Sequence, residues 1–421
     1  MTSESCFSYS KPLIAYYLAE KIKLDDVYFK KQSFYITNKV NLRLKSEVKQ
    51  IDLENRAVVV GDNKIYFNKL LIASGGKPII PKIGIVRGNS EKLGNLQEPG
   101  NAFIGPTNYK SIDGVFTLNT LEDVVELRNY IKENEIKKVS ILGGGLIGSK
   151  AVEAFLEIGL KINIIELSDR ILSASLDRKA SGIIENKIKS MGSNIFTENT
   201  VGKIYTEEQK ITGLMLRDGR KVDCNLLVLA IGVKPNLDFL SNSKIKLNKG
   251  IVVDSYMQTT QNDIFAAGDV VDSLDIILEK DRNIAIWPLA VRQGAIAGAN
   301  MAGEQREYSG GFFMNSVEIL NIPSISMGLT NLQDEADKNF EVFKSFKPEE
   351  NLYRKIVIKE NKIIGVILVG NIERAGIYCG LIRNKINISN VKDNILMEDF
   401  GIIQLPEEYR KHLVVGNGIE V

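Results

Sequence analysis

The sequence predicts an α/β fold built on a dinucleotide-binding (Rossmann-like) unit, with a separate α+β domain at the C-terminal end. Three observations predict it. A strand, a glycine turn, a helix and a second strand follow one another at 139–166. Two apolar runs, at 57–72 and 222–231, end in glycine-containing turns. Beyond residue 350, two strand-like segments flank a short polar turn and lead into a helical stretch.

The central unit is the most specific. Val139–Leu142 is a short apolar run that ends in Gly143-Gly144-Gly145-Leu146-Ile147-Gly148, the GxGxxG pattern. In the stretch that follows, Ala151, Ala154, Phe155 and Ile158 share one helical face. Gly159 can end that helix, and Lys161–Ile165 reads as the next strand, closing on Glu166. Gly143 permits the tight turn, Gly145 lets the backbone approach a pyrophosphate, and Gly148 lets helix and strand pack closely. The helix N-terminus, with its free N–H groups and positive dipole end, then holds phosphate. Glu166 lies 23 residues after Gly143, near the roughly 20 expected of an acid that bonds a ribose 2′-OH. Its carboxylate would repel a 2′-phosphate, which favours NADH over NADPH.

Around this unit, residues 57–72 predict a hairpin and a buried strand before Ala73-Ser74-Gly75-Gly76. Residues 222–231 repeat the theme before Gly232-Val233-Lys234-Pro235. Residues 84–113, rich in Gly, Asn and Pro, read as a long loop or insertion. At 353–370 two strands flank a Glu-Asn-Lys turn, and a helix follows at 372–385.

With 421 residues and roughly 100–200 residues per domain, two to four domains are expected. The 54 basic and 52 acidic residues are interspersed and leave a formal charge of +2, so neither nucleic acid nor an acidic membrane surface is an expected partner. Apolar runs such as Ile363–Val369 are far shorter than the ~18 residues of a membrane span. The first residues, MTSESCFSYSK, do not read as a secretory signal, and a cytoplasmic protein is expected. Cys6, Cys224 and Cys379 are isolated in sequence, which excludes a structural zinc site or a local redox disulfide; no metal is expected. Cys224 and Cys379 read as core, Cys6 as structural or incidental, and His412 as a surface residue.

Taken in order, several segments resemble the FAD-dependent pyridine-nucleotide oxidoreductases related to NADH–rubredoxin reductase, NADH oxidase, coenzyme A disulfide reductase and the nitrite reductase flavoprotein. They are YSKPLIAYYL at 9–18, LLIASGGKP at 70–78, GVFTLNTLEDV at 114–124 and GGGLIG with IIELSDRIL at 164–172. LLVLAIGVKPN at 226–236, TTQNDIFAAGDV at 259–270 and WPLAVRQGAIAGANMAG at 287–303 continue the series. The tail at 365–385 is similar to that of rubredoxin reductases. The resemblance implies two nested dinucleotide-binding domains. The FAD domain would be split into 1–113 and 237–312, the NAD domain would be 114–236, and a C-terminal domain would occupy 313–421.

It also implies site residues. Lys11 would stand by the reactive flavin nitrogen, and Asp269, after Gly268, would bond the ribityl chain. Ala73, Ser74 and Gly75, Gly232, and the helix start around Ala290 would contact the cofactors; Ile147 belongs with the NAD glycines. Ser74 replaces the usual threonine and keeps a hydroxyl.

Three departures qualify the match. Relatives with disulfide or peroxide chemistry carry a cysteine at the position of Lys11, whereas Cys6 lies five residues earlier. Many relatives continue the NAD turn as Gly-Leu-Glu, but here it reads Gly148-Ser149-Lys150. With Lys11, Lys150 would then place two cations at the flavin. Finally, alignment on YSKPL sets Met1 at the end of the second strand of the FAD fold. About 35 residues, one βαβ phosphate unit, would be absent. Loss of a central strand should cost more than the ~5–15 kcal/mol net stability of a domain. Glu4 falls near the expected ribose acid without being assignable, and VVGNGI at 414–419 resembles such a turn only by coincidence.

The expected function is transfer of electrons from NADH through FAD to a small redox protein such as rubredoxin or another iron–sulfur protein. A homodimer is compatible with this. The alternatives are a non-catalytic NAD-binding remnant, a subunit completed by a partner chain, and an oxidase that reduces oxygen.

Overall fold

The computed structural model describes residues 1–87, 102–332, 334–335 and 337–405. His412, the 414–419 segment and residues 88–101 of the 84–113 loop therefore lie outside the described residues. The chain opens with a single helical turn, Lys11–Leu13, that runs into Ile14–Leu18; a short helix at Gln32–Thr37 follows. The predicted hairpin forms from Ala57–Val60 and Asn63–Tyr66, turned at Gly61, where φ is +56°. The strand that follows, β1 (Leu70–Ile72), buries Ile72, leaves Leu70 and Leu71 half-buried, and leads directly into Ala73-Ser74-Gly75.

The nucleotide side comes next. It comprises β2 (Val115–Thr117), α1 (Leu121–Glu133), β3 (Lys138–Leu142), α2 (Leu146–Glu157), β4 (Lys161–Ile165), α3 (Arg178–Ser190), β5 (Asn194–Phe196) and β6 (Leu226–Leu229). The strands form one parallel sheet in the order β5-β4-β3-β6-β2. All of β6 and the last four residues of β3 are buried, the pattern of parallel strands covered on both faces. Helix starts are well specified. Thr120 and Asp123 form a capping box on α1, and the Asp177 carboxylate accepts from the Ala180 N–H at 3.0 Å on α3.

One expectation is corrected here. Ile83–Arg87, read as part of a loop, is a strand lying parallel to Val201–Glu207 and antiparallel to Phe103–Ile104. Ile83 and Ile104 are buried in the same core as Leu142, Ile165 and Leu227. The glycines and prolines around them concealed a short buried strand whose partner is more than a hundred residues away.

The flavin-side elements return with β7 (Ile264–Ala266) and α4 (Trp287–Met301). Strand β1 pairs in parallel with β7 in a two-stranded sheet. Leu70 N–H donates to Asp263 O at 3.0 Å and Ala267 N–H to Ile72 O at 3.1 Å. Alternate residues of a parallel strand bond the same neighbour, so Leu71 turns its backbone groups to the other edge.

The C-terminal domain is an antiparallel sheet of β8 (Met314–Ile319), β9 (Ile322–Gly328), β10 (Glu341–Lys347), β11 (Leu352–Lys359) and β12 (Lys362–Val369), backed by α5 (Ala375–Arg383). The predicted turn between β11 and β12 is made by Glu360 and Asn361, both at positive φ, as a two-residue type I′ hairpin requires. This sheet docks on the nucleotide side. The Tyr353 hydroxyl donates to Asp177 at 2.6 Å, and buried Lys355 lies 2.6 Å from Glu335 and 3.5 Å from Asp177. Among the described residues no helix is long and apolar enough to cross a membrane.

Candidate active site at the junction of two nucleotide-binding sides

The glycine turn sits at the C-terminal end of β3. Gly143 has φ +110°, and a Cβ there would overlap the Ala230 carbonyl oxygen. A Cβ on Gly148 would overlap the Gly143 carbonyl oxygen, so helix and turn touch backbone to backbone. Gly145, the N-cap of α2, has open space where its side chain would be. The protein's own packing thus explains Gly143 and Gly148, and it leaves room above Gly145. Glu166 is held in place by two backbone donors, Gly144 N–H at 2.6 Å and Ser168 N–H at 2.7 Å. A carboxylate has about four lone-pair sites, so acceptor capacity remains.

Next to this turn a cavity of about 590 Å³ opens between the two sides. Of the residues singled out in sequence, it gathers Lys11, Ala73, Gly75, Ile147, Gly268, Asp269 and Ala290. Four elements deliver them: the first helical turn, the loops after β1 and β7, and the start of α4. Ile147 joins them from the nucleotide helix, so the glycine turn and the flavin-side residues share one space. Gly143, Gly145, Gly148 and Glu166 stay outside it as a second cluster. Ser74 also turns away, its hydroxyl donating to Asn236 O at 2.9 Å. Gly232 lies in the link between the sides, with φ +117° and its carbonyl accepting from Ile79 N–H at 3.0 Å.

Charge in the cavity is sparse and placed. Burial pushes the Asp269 carboxyl upward, and the Lys11 cation pulls it partly back. The Lys11 ammonium makes no hydrogen bond or ion pair among the described residues. Lys150 does line the cavity, but the expected second free cation is not there. Its ammonium pairs with Glu153 and donates to Glu318 O at 3.0 Å. The carboxylate needed to neutralise Lys150 sits one helical turn on, too far along the sequence to be read from the Gly-Ser-Lys motif.

Sequence reasoning missed Cys6, Phe7, Tyr9 and Trp287 as cavity-lining residues. The Cys6 thiol is pushed up to about 11 by burial and then by Glu4 and Glu122, so it is protonated at neutral pH and a poor nucleophile. Glu4, left unassigned from sequence, also lines the cavity, and its Oε2 is buried with no partner among the described residues. The only signal was its distance before the YSKPL segment. Cys224 is buried and Cys379 packs near Met314, as core residues do.

A glycine turn with its acid on one side, and a shared cavity with a half-buried carboxylate and a helix start on the other, define a two-nucleotide oxidoreductase. The comparisons agree. The profile of the pyridine nucleotide-disulphide oxidoreductases matches residues 3–294, and that of the rubredoxin NAD+ reductase C-terminal domain matches 314–386. The chain belongs to the pyridine nucleotide-disulphide oxidoreductase family, whose members use FAD and NAD(P)H.

It is 26% identical to the NADH-rubredoxin oxidoreductase of Clostridium acetobutylicum over 88% of this chain and 84% of that protein. The solved structure of that enzyme superposes with a TM-score of 0.70, covering 94% of this chain and 91% of the other. The epsilon subunit of an NADH-dependent phenylglyoxylate dehydrogenase from Aromatoleum evansii is 27% identical over 96% of this chain and 89% of its own. A Bacillus subtilis nitrite reductase [NAD(P)H] is 25% identical over 91% of this chain, which spans 43% of that longer protein. The chain is thus an NAD(P)H oxidoreductase of the family that includes rubredoxin reductases.

The flavin end of FAD fits this cavity. Its walls are largely apolar, and Asp269 offers a half-buried acceptor suited to a polyol hydroxyl. Glu4 adds an unpartnered acceptor suited to another. On the flavin side no GxGxxG turn is found among the described residues, so the diphosphate has no such cradle there.

Proposed function

We propose that the chain oxidises NADH and passes the electrons, through FAD, to a small iron–sulfur or rubredoxin-type protein. The observation that supports this most directly is the shared cavity, where Ile147 of the nucleotide helix meets Lys11, Asp269 and Ala290. FAD supplies the two-electron acceptance from NADH and the stepwise release of electrons to a one-electron acceptor.

The chain's own residues do the rest. The N–H groups at the start of α2 and the open face of Gly145 bind pyrophosphate, and Glu166 accepts from the ribose diol and repels a 2′-phosphate. Ala73, Gly75 and Gly268 bring backbone close to the flavin, while Asp269 holds its side chain. Lys11, unpaired, sets a positive charge beside the ring, and the start of α4 adds its dipole; both favour extra negative charge there. Protonated Cys6 takes no part, which favours electron transfer over disulfide chemistry. The resemblance of the C-terminal domain to rubredoxin reductases supports a protein acceptor.

The test is spectroscopic. The purified chain, incubated with FAD and desalted, should retain flavin absorbance that bleaches under anaerobic NADH and returns on adding rubredoxin. Bleaching without reoxidation by rubredoxin would refute the acceptor while keeping the NADH–flavin step. A second reading is favoured by the two-stranded flavin-side sheet with Leu71 facing an open edge. In it, a further polypeptide segment, from a longer form or a partner subunit, completes the diphosphate cradle. Failure to retain FAD alone, with retention after co-purification from the native source, would select it.

A further inference from the structure

Beside the cavity mouth lies a surface that the proposed site does not use. Residues 28–46 contain five cations, Lys30, Lys31, Lys39, Arg43 and Lys45, and no acidic residue. Among the described residues none of the five forms an ion pair. Four of them are exposed, and Lys30 is half-buried. In the same segment Phe29 and Phe34 are exposed, at 56% and 39%, although aromatic side chains of this size usually bury most of their area. Lys30 ties them together, its ammonium 4.9 Å from one ring and 4.7 Å from the other.

This patch is continuous with the cofactor cavity. Phe29 meets Trp287 edge to face, with ring centroids 6.2 Å apart, and Trp287 lines the cavity while remaining 39% exposed. On a second path Phe34 contacts Tyr35 at 5.5 Å, and Tyr35 stacks on Phe7, another cavity residue, at 5.8 Å. An aromatic centre that holds one cation, in a segment whose other cations are exposed and form no ion pair among the described residues, has the composition of a protein-docking surface. Its charge selects an acidic partner and would steer one by long-range attraction.

We propose that the 28–46 surface, centred on Phe29, Lys30 and Phe34, docks an acidic iron–sulfur electron carrier at the cavity mouth. This rests on the acceptor reading above and adds where the acceptor sits and what charge it carries. Docking there places the carrier against Trp287, with one aromatic layer between it and the cavity. The five cations set encounter rate and salt sensitivity, and Phe29 and Phe34 supply the desolvated centre.

The test uses the full chain, with rubredoxin as the acidic probe and uncharged benzoquinone as the control acceptor. Binding to immobilised rubredoxin is measured by surface plasmon resonance, independently of turnover. Lys30→Glu/Lys31→Glu and, separately, Lys31→Glu/Lys39→Glu should each weaken binding about tenfold or more at low salt and flatten its salt dependence. Lys187→Glu/Lys189→Glu, an equal charge change on α3 of the nucleotide side, should leave binding near the parental value. With NADH, the first two variants should raise KM for rubredoxin while benzoquinone reduction persists. Equal weakening by the α3 variant would mean that net charge alone acts, and unchanged binding in both patch variants would also overturn the surface. In either case rubredoxin reduction by the parental chain would leave the acceptor reading standing. A parental chain that reduces benzoquinone but neither binds nor reduces rubredoxin would overturn both.

Discussion

The nucleotide turn at 143–166 and the flavin-side wall at 70–75 and 264–290 face the same task, holding a dinucleotide, and use very different amounts of their own structure for it. The nucleotide side is a five-stranded parallel sheet, while on the flavin side β1 and β7 form a sheet of two, beside separate three-stranded sheets at 48–66 and 251–283. On the nucleotide side the glycines answer to the protein itself, since Gly143 and Gly148 have backbone where a Cβ would go. On the flavin side Gly75 and Gly268 are also at positive φ, but only open space or the Ala290 methyl, at 3.5 Å, lies near them. The glycine turn of one region is fixed by backbone packed against backbone. The glycines of the other border open space beside a cavity.

The largest effect should come from Gly148→Ala. The new methyl must displace the turn, and kcat/KM for NADH should fall at least ~100-fold, about 3 kcal/mol, with flavin absorbance retained. Gly145→Ala meets no atom within 4 Å, and its unfolding midpoint should correspond to a change within ~0.5 kcal/mol. Equal losses of stability in the two variants would break the comparison.

The flavin side should instead depend on its ligand. FAD at ~100 times its Kd should add about 2.7 kcal/mol of stability, seen as a rise in Tm. Hydrogen exchange at 70–72 and 264–267 should slow with FAD but not with NADH. Protection there without FAD, equal to that of β3 and β6, would show a self-sufficient flavin side.

Glu166→Ala sharpens the nucleotide half. Loss of a charge-assisted ribose contact, about 1.5–3 kcal/mol, should raise KM for NADH roughly 10- to 100-fold, with NADPH much less affected. A parallel loss with both nucleotides would remove Glu166 from the ribose site.

Cys6 reports on the cavity by pH. Its thiol, raised to about 11, is neutral below that value and thiolate above it. Peptide-resolved iodoacetamide labelling should therefore be slow at pH 8, where about 0.1% is thiolate, and climb towards pH 11. Labelling that saturates by pH 9 would contradict the buried, acid-flanked setting. The smallest change is expected from Glu153→Gln, which frees the Lys150 cation at the cavity edge. The flavin potential should rise modestly, and an unchanged potential would place Lys150 out of electrostatic reach.

What could be read from sequence follows the same division. The βαβ unit was legible because its signals are local: a buried strand, three spaced glycines, a helical face and an acid at a set distance. The β11–β12 hairpin was legible for a similar reason, since Glu360-Asn361 between alternating strands is a short-range signal. The Ile83–Arg87 strand was not, because its longer pairing, with Val201–Glu207, is to a segment remote in sequence. Lys150 was misjudged as a free charge because Glu153 and Glu318 reach it only once the helix and the C-terminal sheet are in place. Cys6 and Glu4 entered the site through burial, which a motif does not encode.

By itself, then, the sequence determined the dinucleotide turn, the order of the family segments and the C-terminal hairpin. Those depend on periodicity and spacing along a few turns of chain. Only the tertiary structure decided that Lys11, Ile147, Asp269 and Ala290 line one cavity and that Lys150 is neutralised. It alone brought Phe29 of a cation-rich segment against Trp287 at the cavity mouth. Each of these depends on contacts between residues far apart in the chain, whose distances are set by the packing of whole elements.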